Sequence, residues 1–96
     1  MQIQLPPARA LAAAALCLGA LPLSAQTFTI IGLPDTQNYS EFFPAIFSAQ
    51  TQWVAANLTQ RNIRYVAHYG DVVNDGDNLA QWANADQAMS VLDAAG

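Results

Sequence analysis

The chain has 96 residues, 53% of them hydrophobic and only 10% charged, with a formal net charge of −4. It contains no lysine, and its three cationic side chains are Arg9, Arg61 and Arg64, which excludes the basic surface that gathers nucleic acid or anionic lipid. A single cysteine, Cys17, excludes an intrachain disulfide framework.

Residues 1–25 carry one charge, Arg9, then an apolar run over 10–21, then Pro22-Leu23-Ser24-Ala25. This is the layout of a secretory signal peptide, with cleavage expected after Ala25 and a secreted or periplasmic product. The run is shorter than the roughly 20 apolar residues of a comfortable membrane span, and an uncleaved anchor is the competing reading. Leu16 stands where a lipoprotein would carry a small residue before its cysteine, so no lipid anchor is expected. The mature part, 26–96, has two arginines against seven carboxylates and no cysteine. A domain of that size folds alone only marginally and leans on a good core, a metal or a partner.

The first mature element is a strand over 27–33, rich in β-branched and aromatic residues and expected to be covered on both faces. Gly32 and Pro34 end it. Residues 35–40 read as a polar loop. A helix follows from 43 or 44 to 60, with Pro44 suited to its first turn. Ile46, Phe47, Val54 and Leu58, with Trp53 beside them, form its apolar stripe. A second strand spans 63–69, and residues 71–78 are a loop rich in Asp, Asn and Gly. The last helix, 79–95, has Asp77 or Asn78 as its cap and Gly96 as its stop. Its expected buried face is Trp82, Ala85, Met89 and Leu92.

The order strand, helix, strand, helix gives an α/β fold with a parallel, right-handed crossover. Two parallel strands cannot bury both faces of a sheet, so 26–96 is expected to be the front part of a larger domain. Each strand runs into a glycine and then an aspartate: Gly32-Leu33-Pro34-Asp35 and Gly70-Asp71. Open parallel sheets bind ligands at the carboxyl ends of their strands, where both aspartates fall. Asp35, Asp71, Asp75 and Asp77 crowd the two loops, and crowded carboxylates favour a bound cation. Two-metal hydrolysis holds its cations about 3.5–4 Å apart, so one carboxylate must bridge them. Asp71 is the candidate bridge, and Asp35 with Gln37, two apart on an extended segment, would share one side.

These residues resemble the calcineurin-like metallophosphoesterase family. The resemblance rests on Asp35-Thr36-Gln37 followed about 35 residues later by Gly70-Asp71-Val72-Val73-Asn74, matching the family's Asp-x-(His or Gln) and Gly-Asp-x-x-(Asn or Asp) motifs. Pro34-Asp35-Thr36-Gln37-Asn38-Tyr39, the Gln52-Trp53 helix and His68-Tyr69-Gly70-Asp71 are similar to one extracytoplasmic branch of it. The resemblance implies a β-sandwich with flanking helices, of which this chain is the first βαβα. It implies two divalent cations (Mn, Fe, Zn or Mg), with Asp35 and Gln37 at the first and Asp71 between them. Asn74 and His68 then support the ligands from behind, and His68, on its strand, is expected to be a packed or hydrogen-bonded neighbour rather than a ligand. The implied reaction is phosphoester hydrolysis by in-line attack of a hydroxide. Gln37 departs from the commoner histidine, and an amide oxygen is a weaker ligand than imidazole. The family's third motif, Gly-Asn-His-(Asp or Glu), does not occur, so no catalytic residue is assigned and the 96-residue chain alone is expected to be inactive.

Other readings of the same residues are available. An EF-hand counted from Asp71 has Gly76 in place, but Val73 and Trp82 fall on ligand positions. Asp75 and Asp77 are better read as turn formers. The alternative function is a non-catalytic secreted α/β fragment or binding module whose apolar stripes meet another chain.

Overall fold

The computed structural model describes residues 26–96; the expected signal peptide and Cys17 lie outside the described residues. The elements are β1 (Thr29–Leu33), α1 (Gln37–Phe42), α2 (Pro44–Asn57), β2 (Ile63–His68) and α3 (Leu79–Ala95). The architecture is mixed α/β, with a two-stranded sheet and three helices. No helix among the described residues is long and apolar enough to cross a membrane.

β1 and β2 pair in parallel. A parallel pair needs a long crossover, and α2 provides it. The pairing starts at Thr29↔Ile63, shifts at Ile30↔Tyr65 and then runs in step to Leu33↔His68, so Arg64 is the extra residue on β2. Asn62 holds the entry to this ladder. It sits in the left-handed region at φ 48°, a conformation that asparagine tolerates better than most residues. Its side-chain amide donates to the Thr27 carbonyl, and its own carbonyl accepts from Thr29 N–H at 2.9 Å.

Pro44 stands at the start of α2, where its missing N–H costs nothing. α3 is capped by Asn78, whose Oδ1 accepts from the N–H groups of Ala80 and Gln81 at 3.0 and 3.2 Å. Gly96 ends it at φ 84°. Phe47 of α2 is fully buried against Ala85 and Ala88 of α3, and Tyr39, Val72, Val73 and Met89 pack around this cluster. Alanine on one helix lets the other approach closely enough for a phenyl ring to fill the gap. The core therefore lies directly beneath the loop that follows β2.

Several expectations from the sequence need correction. Residues 37–42 form helix α1, which takes in 37–40 of the expected polar loop. Its packing is polar: Ser40 is fully buried, its Oγ donates to the Val72 carbonyl at 2.6 Å, and Asn84 of α3 donates to its carbonyl at 2.9 Å. Such a helix leaves no apolar periodicity to read. β1 begins two residues later than expected, α2 ends at Asn57 with turns to Asn62, and β2 ends at His68. The sheet is not covered on both faces among the described residues, since Ile30 and its partner Tyr65 are 57% and 63% exposed.

Phe47, Val54 and Ala85 are buried as expected and Met89 packs against the core, but both stripes are shifted at other positions. α2 buries Phe47, Thr51 and Val54, while Ile46 and Trp53 are about half exposed. The Trp53 ring instead carries the Arg61 guanidinium 5.1 Å from its centre. α3 buries Gln81, Ala85 and Ala88 and leaves Trp82 at the rim, its indole N–H donating to the Gly76 carbonyl at 2.8 Å.

Gln81 decides that rotation. Its Oε1 accepts from two successive backbone N–H groups, Asn74 at 2.9 Å and Asp75 at 2.8 Å. Gln81→Met keeps the length of the side chain and removes the acceptor from both donors. Leaving such donors unsatisfied costs about 1–3 kcal/mol. Urea unfolding followed by tryptophan fluorescence should show a stability lower by that amount, and an unchanged midpoint would mean that water satisfies both groups.

Candidate functional site

The strand register brings the two aspartate loops together. Leu33 and His68 are partners at the carboxyl ends of β1 and β2, and Tyr69 N–H donates to the Leu33 carbonyl at 2.9 Å. Beyond that point the strands separate into loops, with Asp35 two residues past Leu33 and Asp71 three past His68. The loops are rejoined by one backbone hydrogen bond, from Thr36 N–H to the Asp71 carbonyl at 3.1 Å. Both aspartates are exposed.

Backbone geometry at Gly70-Asp71 is unusual. Gly70 has φ 108° and Asp71 φ 50°. Glycine reaches the first conformation without strain, and aspartate is among the few residues that visit the second. The aspartate thus follows β2 through a sharp reversal. On the β1 side, the Tyr69 ring lies against Gly32 where any side chain would sit.

Gln37 does not lie on an extended segment as expected. It is the first residue of α1, and its N–H donates to Asp35 Oδ1 at 3.0 Å. Asp35 therefore keeps its second oxygen free, while its first turns the chain into the helix. The shared-side argument from strand periodicity does not apply to this pair.

Residues not singled out from the sequence hold the loops. Thr36, 1% exposed, places Oγ1 at 2.8 Å from His68 Nε2 and 3.1 Å from the Val72 carbonyl. The Val72 carbonyl thus receives both Thr36 and Ser40, using both lone pairs. His68 Nδ1 accepts from Gly70 N–H at 3.1 Å, and its ring packs 6.1 Å from that of Phe47. Asn74 is exposed, and its backbone N–H is held by Gln81. Asp75 Oδ1 accepts from Asp77 N–H at 3.1 Å, a turn-forming contact. Gln81 had one legible signal: Asn78-x-x-Gln81 has the spacing of a capping box. Its side chain reaches the preceding loop instead of the cap.

Charge is segregated along the strands. Asp35, Asp71, Asp75 and Asp77 all follow the carboxyl ends of β1 and β2, whereas Arg61 and Arg64 stand at the amino end of β2. Six strand residues span about 20 Å, so neither guanidinium reaches the carboxylates as a direct partner. Among the described residues no group of three or more His, Cys, Asp or Glu side chains is placed to hold a metal ion. Asp35 and Asp71 carry carboxylates on joined loops and Gln37 an amide at the start of α1, groups of the hard oxygen type that divalent cations accept.

No family model matches the chain, and no solved structure does. A Bacillus subtilis (strain 168) protein described as "Uncharacterized protein YvnB" is 46% identical over 76 residues, which is 79% of this chain and 6% of that protein. The chain therefore spans a small fraction of the length of this relative.

The positive φ at Gly70 generates a stability prediction. A methyl group there would meet nothing within 4 Å, so only the backbone opposes it. Gly70→Ala should destabilise the chain by about 1–3 kcal/mol, the usual cost of such a conformation in a residue with a side chain. Gly76→Ala, with equal space and an ordinary φ, is the control, expected within about 0.5 kcal/mol of the parent. Equal urea midpoints for the two variants would contradict the strain at Gly70.

Proposed function

We propose that this chain carries the first half of a two-metal phosphoester hydrolase site, in a domain of the metallophosphoesterase-like sandwich type, secreted or periplasmic. One observation carries the reading. The Thr36 N–H to Asp71 carbonyl bond joins the two loops that the strands end in, and each bears one aspartate of the motif pair. Asp35, with Gln37, would hold the first cation and Asp71 would bridge to the second. Bound there, a pair of divalent cations would supply Lewis acidity at phosphorus and charge neutralisation at the leaving oxygen. The chain's own contribution is placement: α1 and the turn at Asp35 fix one ligand group, and the Gly70 reversal fixes the other.

The distribution of charge supports the same reading. The acidic end of the sheet has no cationic side chain on its loops, so a cation is the natural neutralising partner. The reading assigns no general acid to these residues and leaves that role to other parts of the domain. The partners implied are a phosphoester substrate, two divalent ions and that remaining protein.

A specific observation favours a second reading, a non-catalytic binding module. An apolar cleft between β1 and α2 is lined by Ile31, Leu33, Pro34, Ile46, Trp53 and Val54. Beside these residues Gln50 Oε1 is buried without a hydrogen-bond partner. Such a surface suits coverage by another polypeptide.

The two readings separate by experiment. Mn²⁺ should bind the wild-type chain, and Asp35→Asn or Asp71→Asn should weaken it at least ~10-fold, measured by calorimetric titration. The chain alone should hydrolyse bis-p-nitrophenyl phosphate with Mn²⁺ no faster than buffer. Turnover that Asp71→Asn abolishes would show a complete site and overturn the half-site reading. Mass that rises with concentration, with no Mn²⁺ bound, would favour the binding module.

A further inference from the structure

The hydrogen bonds around His68 have only one consistent direction. Gly70 N–H can only donate, so His68 Nδ1 is its unprotonated acceptor. A neutral imidazole then carries its proton on Nε2 and donates to Thr36 Oγ1. The Thr36 hydroxyl is thereby freed to donate to the Val72 carbonyl. The relay runs Gly70 to His68 to Thr36 to Val72. It touches the residue before Asp71, the residue after it, and the residue between Asp35 and Gln37. Thr36 also uses its backbone N–H on the Asp71 carbonyl, so one buried threonine contacts the second loop twice.

We propose that Thr36 and His68 are positioning residues for the cation site: through this relay they fix the separation of Asp35 and Asp71, with His68 acting as the neutral Nε2–H tautomer. The inference rests on the metal reading given above. Neither residue is a ligand in it. His68 has both ring nitrogens engaged, and the Thr36 hydroxyl points to a backbone carbonyl. Ser40 reaches the same Val72 carbonyl without touching His68, so it holds the loop beside the relay and is no part of it.

The test uses the ¹⁵N-labelled full chain. His68 is its one histidine, so a long-range ¹H–¹⁵N correlation reads the tautomer without ambiguity. Mn²⁺ is then titrated while the amide signals of residues 35–37 and 70–72 are followed for paramagnetic broadening. The wild type should show protonated Nε2, bare Nδ1 and one dissociation constant for both loops. Thr36→Val should weaken Mn²⁺ at least ~10-fold, as loss of ligand support does, with Nδ1 still bare because Gly70 N–H still donates to it. Thr36→Ser should restore the wild-type affinity. Thr36→Val binding Mn²⁺ like the wild type sinks the relay alone. A proton on Nδ1 in the wild type does the same, and needs no variant to fold. A wild type that shows no broadening at either aspartate sinks the metal reading, and the proposal with it.

Discussion

The parallel register of β1 and β2 is the constraint on which the rest depends. Because Leu33 faces His68, two segments more than 30 residues apart emerge level at one edge of the sheet. Side chains of successive strand residues point to opposite faces, so a slip of one residue would invert the faces of β2. Thr36 would then no longer meet His68. The bulge at Arg64 absorbs a mismatch near the start of the pairing, leaving the carboxyl ends in step. The entry is fixed by Asn62 and the exit by the Tyr69 N–H bond to Leu33, so the pairing is closed at both ends.

Above that edge the loops are held almost entirely by polar contacts. Thr36, Ser40 and Gln81 are buried, and each directs its side chain at the backbone of residues 72–75. Burying polar groups is unfavourable unless they are paired. These are paired, and their partners are the Val72 carbonyl and the Asn74 and Asp75 N–H groups of the loop. The apolar cluster of Phe47, Ala85 and Ala88 lies just below. The site is thus a polar cap on a small apolar plug, an arrangement that can hold carboxylates at fixed places while leaving them exposed to solvent.

How much of this could be read from the sequence follows the kind of interaction. The strands, the crossover helix and α3 were legible because they depend on β-branched runs, Pro44, Asn78 and Gly96, which act locally. The parallel pairing followed from the length of the crossover. α1 was not legible because Ser40 is buried by a carbonyl and an amide that lie far away in sequence. The rotation of α3 was hidden for the same reason: Trp82 looks like core by composition, but Gln81 takes the inward place because two N–H groups need it. Asp35 and Asp71 stood out because each follows a strand and a glycine. Thr36 did not, since a threonine between two notable residues has no pattern of its own. Val72 offers even less, because it contributes through its carbonyl, which every amino acid possesses.

Four carboxylates at one end and two guanidiniums at the other give the sheet an electrical polarity parallel to its strands. Field lines from the acidic end draw small cations inward, and that attraction fades over a Debye length of about 8 Å at physiological salt. A small anion meets the same field with the opposite sign. The potential at this end therefore attracts small cations and repels small anions, and both effects weaken as ionic strength rises.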